Sequence, residues 1–165
     1  MSEASHLAEA VEGLFARRDC VWFVTFPSAV EGLTASQAAH CPGPRLNSVW
    51  GIVRHLSLAL EHTLILLRGE PYDLNAWIAD GAWPPVPQAA DEEAWQEAKA
   101  DLLALNHEVA QCVARLDDAQ LHQIVFAPMG MKAYQFIQVQ IAHNSNHLNE
   151  MVTIRHMQGL WVDKT

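Results

Sequence analysis

Apolar residues recur at helical spacing in four stretches of the chain. From about Ser5 to Phe26, Leu7, Val11, Leu14, Phe15, Val21 and Trp22 fall mostly three or four apart, and Pro27 is expected to stop that helix. Val49, Ile52, Val53, Leu56, Leu60, Leu64 and Leu67 trace one broad stripe of a second helix, capped by Asn47 or Ser48 and closed at Arg68-Gly69. Asp91 is placed to cap a third helix reaching about Leu116, with Glu92 and Glu93 in the first turn, where the macrodipole stabilises negative charge. A fourth runs from about Lys132 to Gln158, with Gly159 as the residue that ends it. Between the first two lies GLTASQAAHCPGPRLN, which reads as loop. Glu70 to Ala90 holds Pro71, Gly81, Pro84, Pro85 and Pro87 and reads as a long crossover carrying Trp77 and Trp83, with Trp77 to Pro87 expected to cover one end of the bundle. Asp117 to Met131 contains a short β-prone run, Ile124-Val125-Phe126. Four helices, two long connections and no convincing sheet predict an all-α four-helix bundle, one domain over residues 1–165.

Composition narrows the class of partner. Half the residues are apolar and 18% are charged, which argues for a packed core. The net charge of −9, with scattered Lys and Arg, speaks against nucleic acid or an anionic membrane surface. Cys20, Cys41 and Cys112 stand apart with no CxxC pair, as expected for reduced thiols in a cytoplasmic protein. MSEASHLAEAVEGLF carries acids where a signal peptide carries positive charge, and no apolar stretch reaches membrane-spanning length. Phe15, Val21, Phe23 and Phe26 spread around much of the first helix, which predicts a face buried in a homodimer.

Nine histidines supply the candidate chemistry. About 0.4 pairs at a spacing of four are expected by chance, so the spacing of His143 and His147 carries weight only through its context. Residues four apart on a helix lie about 40° from each other, which puts both imidazoles on one face, and Glu150 falls about 20° from His143. His55 lies within the apolar stripe of the second helix, and His62 follows it by seven residues on the same face. Three imidazoles converging on one cation satisfy buried ring nitrogens, suit Zn, Ni or Fe(II), and leave coordination positions open, as catalytic sites do. The same pattern also suits separate core or rim histidines, each with its own hydrogen bond. His62 reads as an outer-layer or cavity-lining residue and not a ligand, and His6, His40, His107, His122 and His156 as surface or loop residues. A carboxylate-bridged di-iron bundle needs Glu-x-x-His on two helices, and that spacing occurs just once, at Glu3 and His6, so this class is disfavoured.

NSVWGIVRHLSLALEH resembles the second-helix signature of the DinB/YfiT-like superfamily, and AYQFIQVQIAHNSNHLNEMVTIRHMQG resembles its fourth-helix H-x-x-x-H block. The Pro-bearing lead-in GLTASQAAHCPGPRLNS is similar to the family's own. The resemblance implies a metal-binding four-helix bundle in which His55, His143 and His147 are the ligands. Family members often carry a small residue and then Gln after the last ligand, where this chain has Leu148-Asn149-Glu150. Activities within the family vary, and include metal-dependent thiol transferases and isomerases and stress- or damage-induced proteins.

If the protein is an enzyme, a divalent metal at such a site acts as a Lewis acid on a small-molecule substrate. The chemistry is S-transfer or isomerisation with a low-molecular-weight thiol, or hydrolysis by activated water; Glu150 is a weak candidate base. The competing class is a non-catalytic metal- or small-molecule-binding stress protein. Trp50, Trp77 and Trp83 are candidates to wall an apolar cavity, or else ordinary core and loop anchors. Arg45, Arg54 and Arg155 are the nearest candidates to hold an anionic thiol.

Overall fold

In the computed structural model, which describes residues 2–16, 22–73, 82–86 and 91–160, the four expected long helices are present. They are α1 (Glu3–Ala16), α4 (Val49–Arg68), α5 (Glu92–Ala114) and α7 (Ala133–Met157). Local chemistry sets their ends. The Ser48 hydroxyl accepts the Gly51 amide at 3.0 Å, and Gly69 leaves α4 at φ 68°. The Asp91 carboxylate accepts the Glu93 amide at 2.9 Å. Beyond α7, Gly159 adopts φ 68° and the Leu160 amide donates to the Arg155 carbonyl at 2.8 Å, the long closing bond of a left-handed helix end.

Helix α5 packs between α1 and α4, and α7 closes the ring against both, so α4 and α7 are neighbours. The all-α bundle is therefore as expected. Fully buried Trp50 and Trp95 join α4 to α5, with ring centroids 5.4 Å apart. Among the described residues, no helix is long and apolar enough to cross a membrane.

The first two segments depart from expectation. Helix α1 ends at Ala16, and Phe26 begins a separate short helix, α2 (Phe26–Val30). Pro27 sits in the first turn of α2 and so starts a helix instead of stopping one, because the amide it lacks has no partner at that position. GLTASQAAHCPGPRLN is not all loop. It contains α3 (Ala35–Ala39), opened by a reciprocal cap in which Thr34 Oγ1 accepts the Gln37 amide at 3.3 Å while Gln37 Oε1 accepts the Thr34 amide at 3.0 Å. Phe15 and Phe26 are buried in this chain's own core with ring centroids 5.6 Å apart, so neither supplies the expected dimer face; Val21 lies outside the described residues.

Arg155, a sequence candidate for thiol binding, is buried and fixes this corner instead. It donates to the carbonyls of Ser28, Ala29, Glu31 and Leu160 at 2.8–3.3 Å, satisfying the exposed carbonyl end of α2 and tying it to α7. Between α5 and α7 lies the short helix α6 (Asp118–Leu121), and then β1 (Ile124–Phe126) pairs antiparallel with β2 (Met131–Lys132). That hairpin realises the β-prone run and lays Phe126 beside Phe136 of α7, with centroids 5.9 Å apart.

Candidate metal centre

The apolar stripe of α4 turns His55 into the interior, where 7% of its surface remains exposed. The neighbouring helix α7 brings His143 and His147 to the same place, one turn apart on one face. One ring nitrogen from each residue lies within 4.8 Å of those from the other two. His55 Nε2 and His143 Nε2 are 3.0 Å apart, and the ring centroids of His147 stand 4.7 and 4.6 Å from those of His55 and His143.

The outer ring nitrogens decide what the inner ones offer. His55 Nδ1 is 2.5 Å from the Ala82 carbonyl oxygen, which can only accept, so Nδ1 carries the proton. His147 Nδ1 likewise donates to Glu150 Oε2 at 2.8 Å. His143 Nδ1 faces Asn144 Oδ1 at the longer distance of 3.4 Å, and that oxygen also accepts the Gln140 amide at 2.8 Å. With the protons on Nδ1, each neutral ring carries its lone pair on Nε2, and two such lone pairs meet at 3.0 Å. That contact is repulsive unless a cation or a proton lies between them. Two nitrogens held about 2.0–2.1 Å from one metal ion are separated by about 2.9–3.4 Å, so the spacing suits a shared ion. The donor set therefore fits a divalent metal, with the outer hydrogen bonds in the arrangement that orients metal-binding imidazoles.

Burial favours the neutral ring, which coordination needs, at His143 and His55. Burial, reinforced by repulsion from His147 and His55, pushes His143 down to about 4. Burial also lowers His55, against the opposing effect of its bond to the Ala82 carbonyl. Glu150 is drawn to the outer layer of the site, where Oε2 accepts from His147 and Oε1 accepts from Asn47 Nδ2 at 2.8 Å. In this position it orients His147.

The described part of the expected cover, residues 82–86, packs against the triad through Trp83. Trp83 stacks on His55 with centroids 4.1 Å apart and planes 10° from parallel, and meets His147 edge-on at 5.6 Å. Val86 approaches the first turn of α4, where a Cβ added at Gly51 would stand 3.6 Å from it. Trp77 and the remainder of the expected cover lie outside the described residues. Trp50 belongs to the core and walls no cavity at the triad.

Beside the triad a cavity of about 190 Å³ is walled by His55 and His143 at one end and by Ala59, His62, Leu66, Tyr72, Phe126 and Phe136 elsewhere. His62 lines a cavity, one of the two roles expected for it. Arg54 points away into a cleft shared with Glu61, Glu97 and Asp101, and Arg45 is exposed. His6, His40, His107, His122 and His156 are all exposed, in line with their reading as surface or loop residues.

Fold and site together define a helical bundle whose interior could hold one metal ion among three imidazoles. A sequence model of the DinB superfamily matches residues 23–151, a span that includes all three histidines. That is well over half of the chain, which belongs to the DinB superfamily. No curated protein and no solved structure gives a significant match.

Proposed function

We propose that this DinB-superfamily protein is a cytoplasmic, metal-dependent enzyme that acts on a small molecule, with His55, His143 and His147 holding one Zn, Ni or Fe ion through Nε2. The observation that carries the reading is the pair of facing Nε2 atoms at 3.0 Å, each on a ring whose Nδ1 is directed at an outer acceptor. A divalent ion there supplies Lewis acidity and lowers the pKa of a bound water or thiol.

The chain's own groups do the rest. Glu150 and the Ala82 carbonyl fix the tautomer and aim of His147 and His55. Trp83 covers one face of His55 and limits the approach of water from that side. Glu150 has both carboxylate oxygens engaged, which suits a positioning residue better than a general base. Water-dependent hydrolysis is the better supported of the two chemistries. Among the described residues, the cavity presents no Arg or Lys to an anionic low-molecular-weight thiol, and the three arginines singled out by sequence face elsewhere.

Turnover of a panel of small neutral esters, amides and epoxides, with and without added thiols, tests this directly. The expected result is metal-dependent hydrolysis that falls on acidification and is lost in His143→Ala. Ligand-induced stabilisation with no turnover across the panel would instead mark a non-catalytic binder.

A further inference from the structure

The proposed reaction leaves the substrate class open, and the cavity beside the triad narrows it. Helix α4 contributes Ala59, His62 and Leu66, the segment after α4 contributes Tyr72, the hairpin contributes Phe126, and α7 contributes Phe136, Val139 and Gln140. The aromatic members touch one another: His62 meets Tyr72 edge-on at 5.4 Å, and Tyr72 meets Phe126 at 6.2 Å. Among the described residues, none that lines the cavity is Asp, Glu, Lys or Arg. Burial lowers the pKa of His62 and raises that of Tyr72, which keeps both side chains uncharged at neutral pH.

Gln140 is already engaged, bridging Thr63 at 3.2 Å and Asn144 at 2.8 Å. A charged ligand entering this cavity would lose its hydration and find no counter-charge. Size bounds the ligand as well. Apolar cavities of about 150 Å³ admit benzene, so about 190 Å³ accommodates a single ring with one short substituent. His55 and His143 are two of the cavity's walls, so a polar function on that substituent has room beside the triad. Val139, half exposed, stands at the rim.

We propose that the substrate is an uncharged molecule of one small aromatic or branched alkyl group, seated among Phe126, Phe136 and Tyr72, with a single polar function directed at the triad. This rests on the metal-dependent reading above for its catalytic meaning, and on the cavity alone for its ligand class. Benzyl alcohol is a neutral probe of this size; benzylammonium and benzenesulfonate are charged counterparts of the same ring.

Calorimetric titration of the full-length protein as purified should show benzyl alcohol binding with a Kd of about 1 mM or tighter. Both charged probes should bind at least about tenfold more weakly. Ala59→Phe and Val139→Phe each fill the cavity, the first from its wall and the second from its rim, so one of them can misfold without removing the test. A folded variant should lose benzyl alcohol binding at least about tenfold while keeping the wild-type metal content. Failure of benzyl alcohol to bind, equal binding of a charged probe, or unchanged binding in a folded filled variant overturns the proposal. Elemental analysis of the same samples separates the two readings. Probe binding without metal keeps the ligand class and removes the metal-dependent reaction, whereas metal without probe binding overturns the ligand class.

Discussion

Replacing Glu150 with alanine removes the acceptor of the His147 Nδ1 proton and, with it, the partner of the Asn47 amide. His147 keeps its place on α7, but its ring gains freedom to rotate and its Nδ1–H turns to water. Losing an outer partner of this kind weakens a metal site about 10- to 100-fold, or about 1.4–2.7 kcal/mol. The Glu150 side chain is 34% exposed, so solvent screens part of its charge and the lower half of that range is expected, about 10- to 30-fold. Glu150→Gln keeps an acceptor for His147 and loses only the charge, so it should fall between wild type and Glu150→Ala. Competition with a chromophoric chelator at about pH 7.5 measures the affinities, and melting of the metal-free proteins reports any separate loss of stability. If Glu150→Ala binds Zn within about twofold of wild type while His147→Ala does not bind, Glu150 has no orienting role and the outer layer is misassigned.

Three further perturbations address other parts of the account. Arg155→Ala should destabilise the protein by about 2–4 kcal/mol, since it strands the carbonyls at the end of α2, and should leave the metal affinity of the folded protein unchanged; urea unfolding and chelator competition measure the two effects. For the metal-free protein, His143 titrates at about 4 when folded against an ordinary 6.5, so the unfolded chain binds more protons between these values and stability falls as pH drops through that window. The expected loss is about 1–3 kcal/mol after allowance for partial solvent exposure, and His143→Gln should flatten that part of the pH–stability curve. Of the described residues expected at a homodimer face, Phe23 is exposed, at 37%; a monomeric mass by light scattering at micromolar concentration would remove the homodimer.

How much of this was legible in the sequence follows from how local each signal is. Helices α4, α5 and α7 were readable because their apolar stripes are long and their ends carry Ser48, Gly69, Asp91 and Gly159, each acting within a few residues. The first segment was misread because a proline suits the first turn of a helix as well as the residue after one, and Pro27 does the former. Helix α3 escaped because five residues are too few to show a period, although Thr34 and Gln37 carry a capping signal at the right spacing.

At the site, the three imidazoles were legible from helical faces and family resemblance. Their outer partners were not. Asn47 lies 103 positions from Glu150, and the acceptor on His55 is a main-chain carbonyl in the crossover, which has no side-chain signature. The cavity was hidden for a related reason, since Tyr72, Phe126 and Phe136 come from three separate segments and meet only in the fold.

Elemental analysis of purified wild-type protein beside His55→Ala, His143→Ala, His147→Ala and His40→Ala tests the central claim most directly. About one divalent metal ion per chain is expected in wild type and in the exposed-site control His40→Ala, little in any triad variant, and a rise in melting temperature on metal addition only where the triad is intact. A wild type that purifies without metal and gains no stability from Zn, Ni, Mn or Fe(II) would contradict the account and leave these histidines as ordinary interior residues.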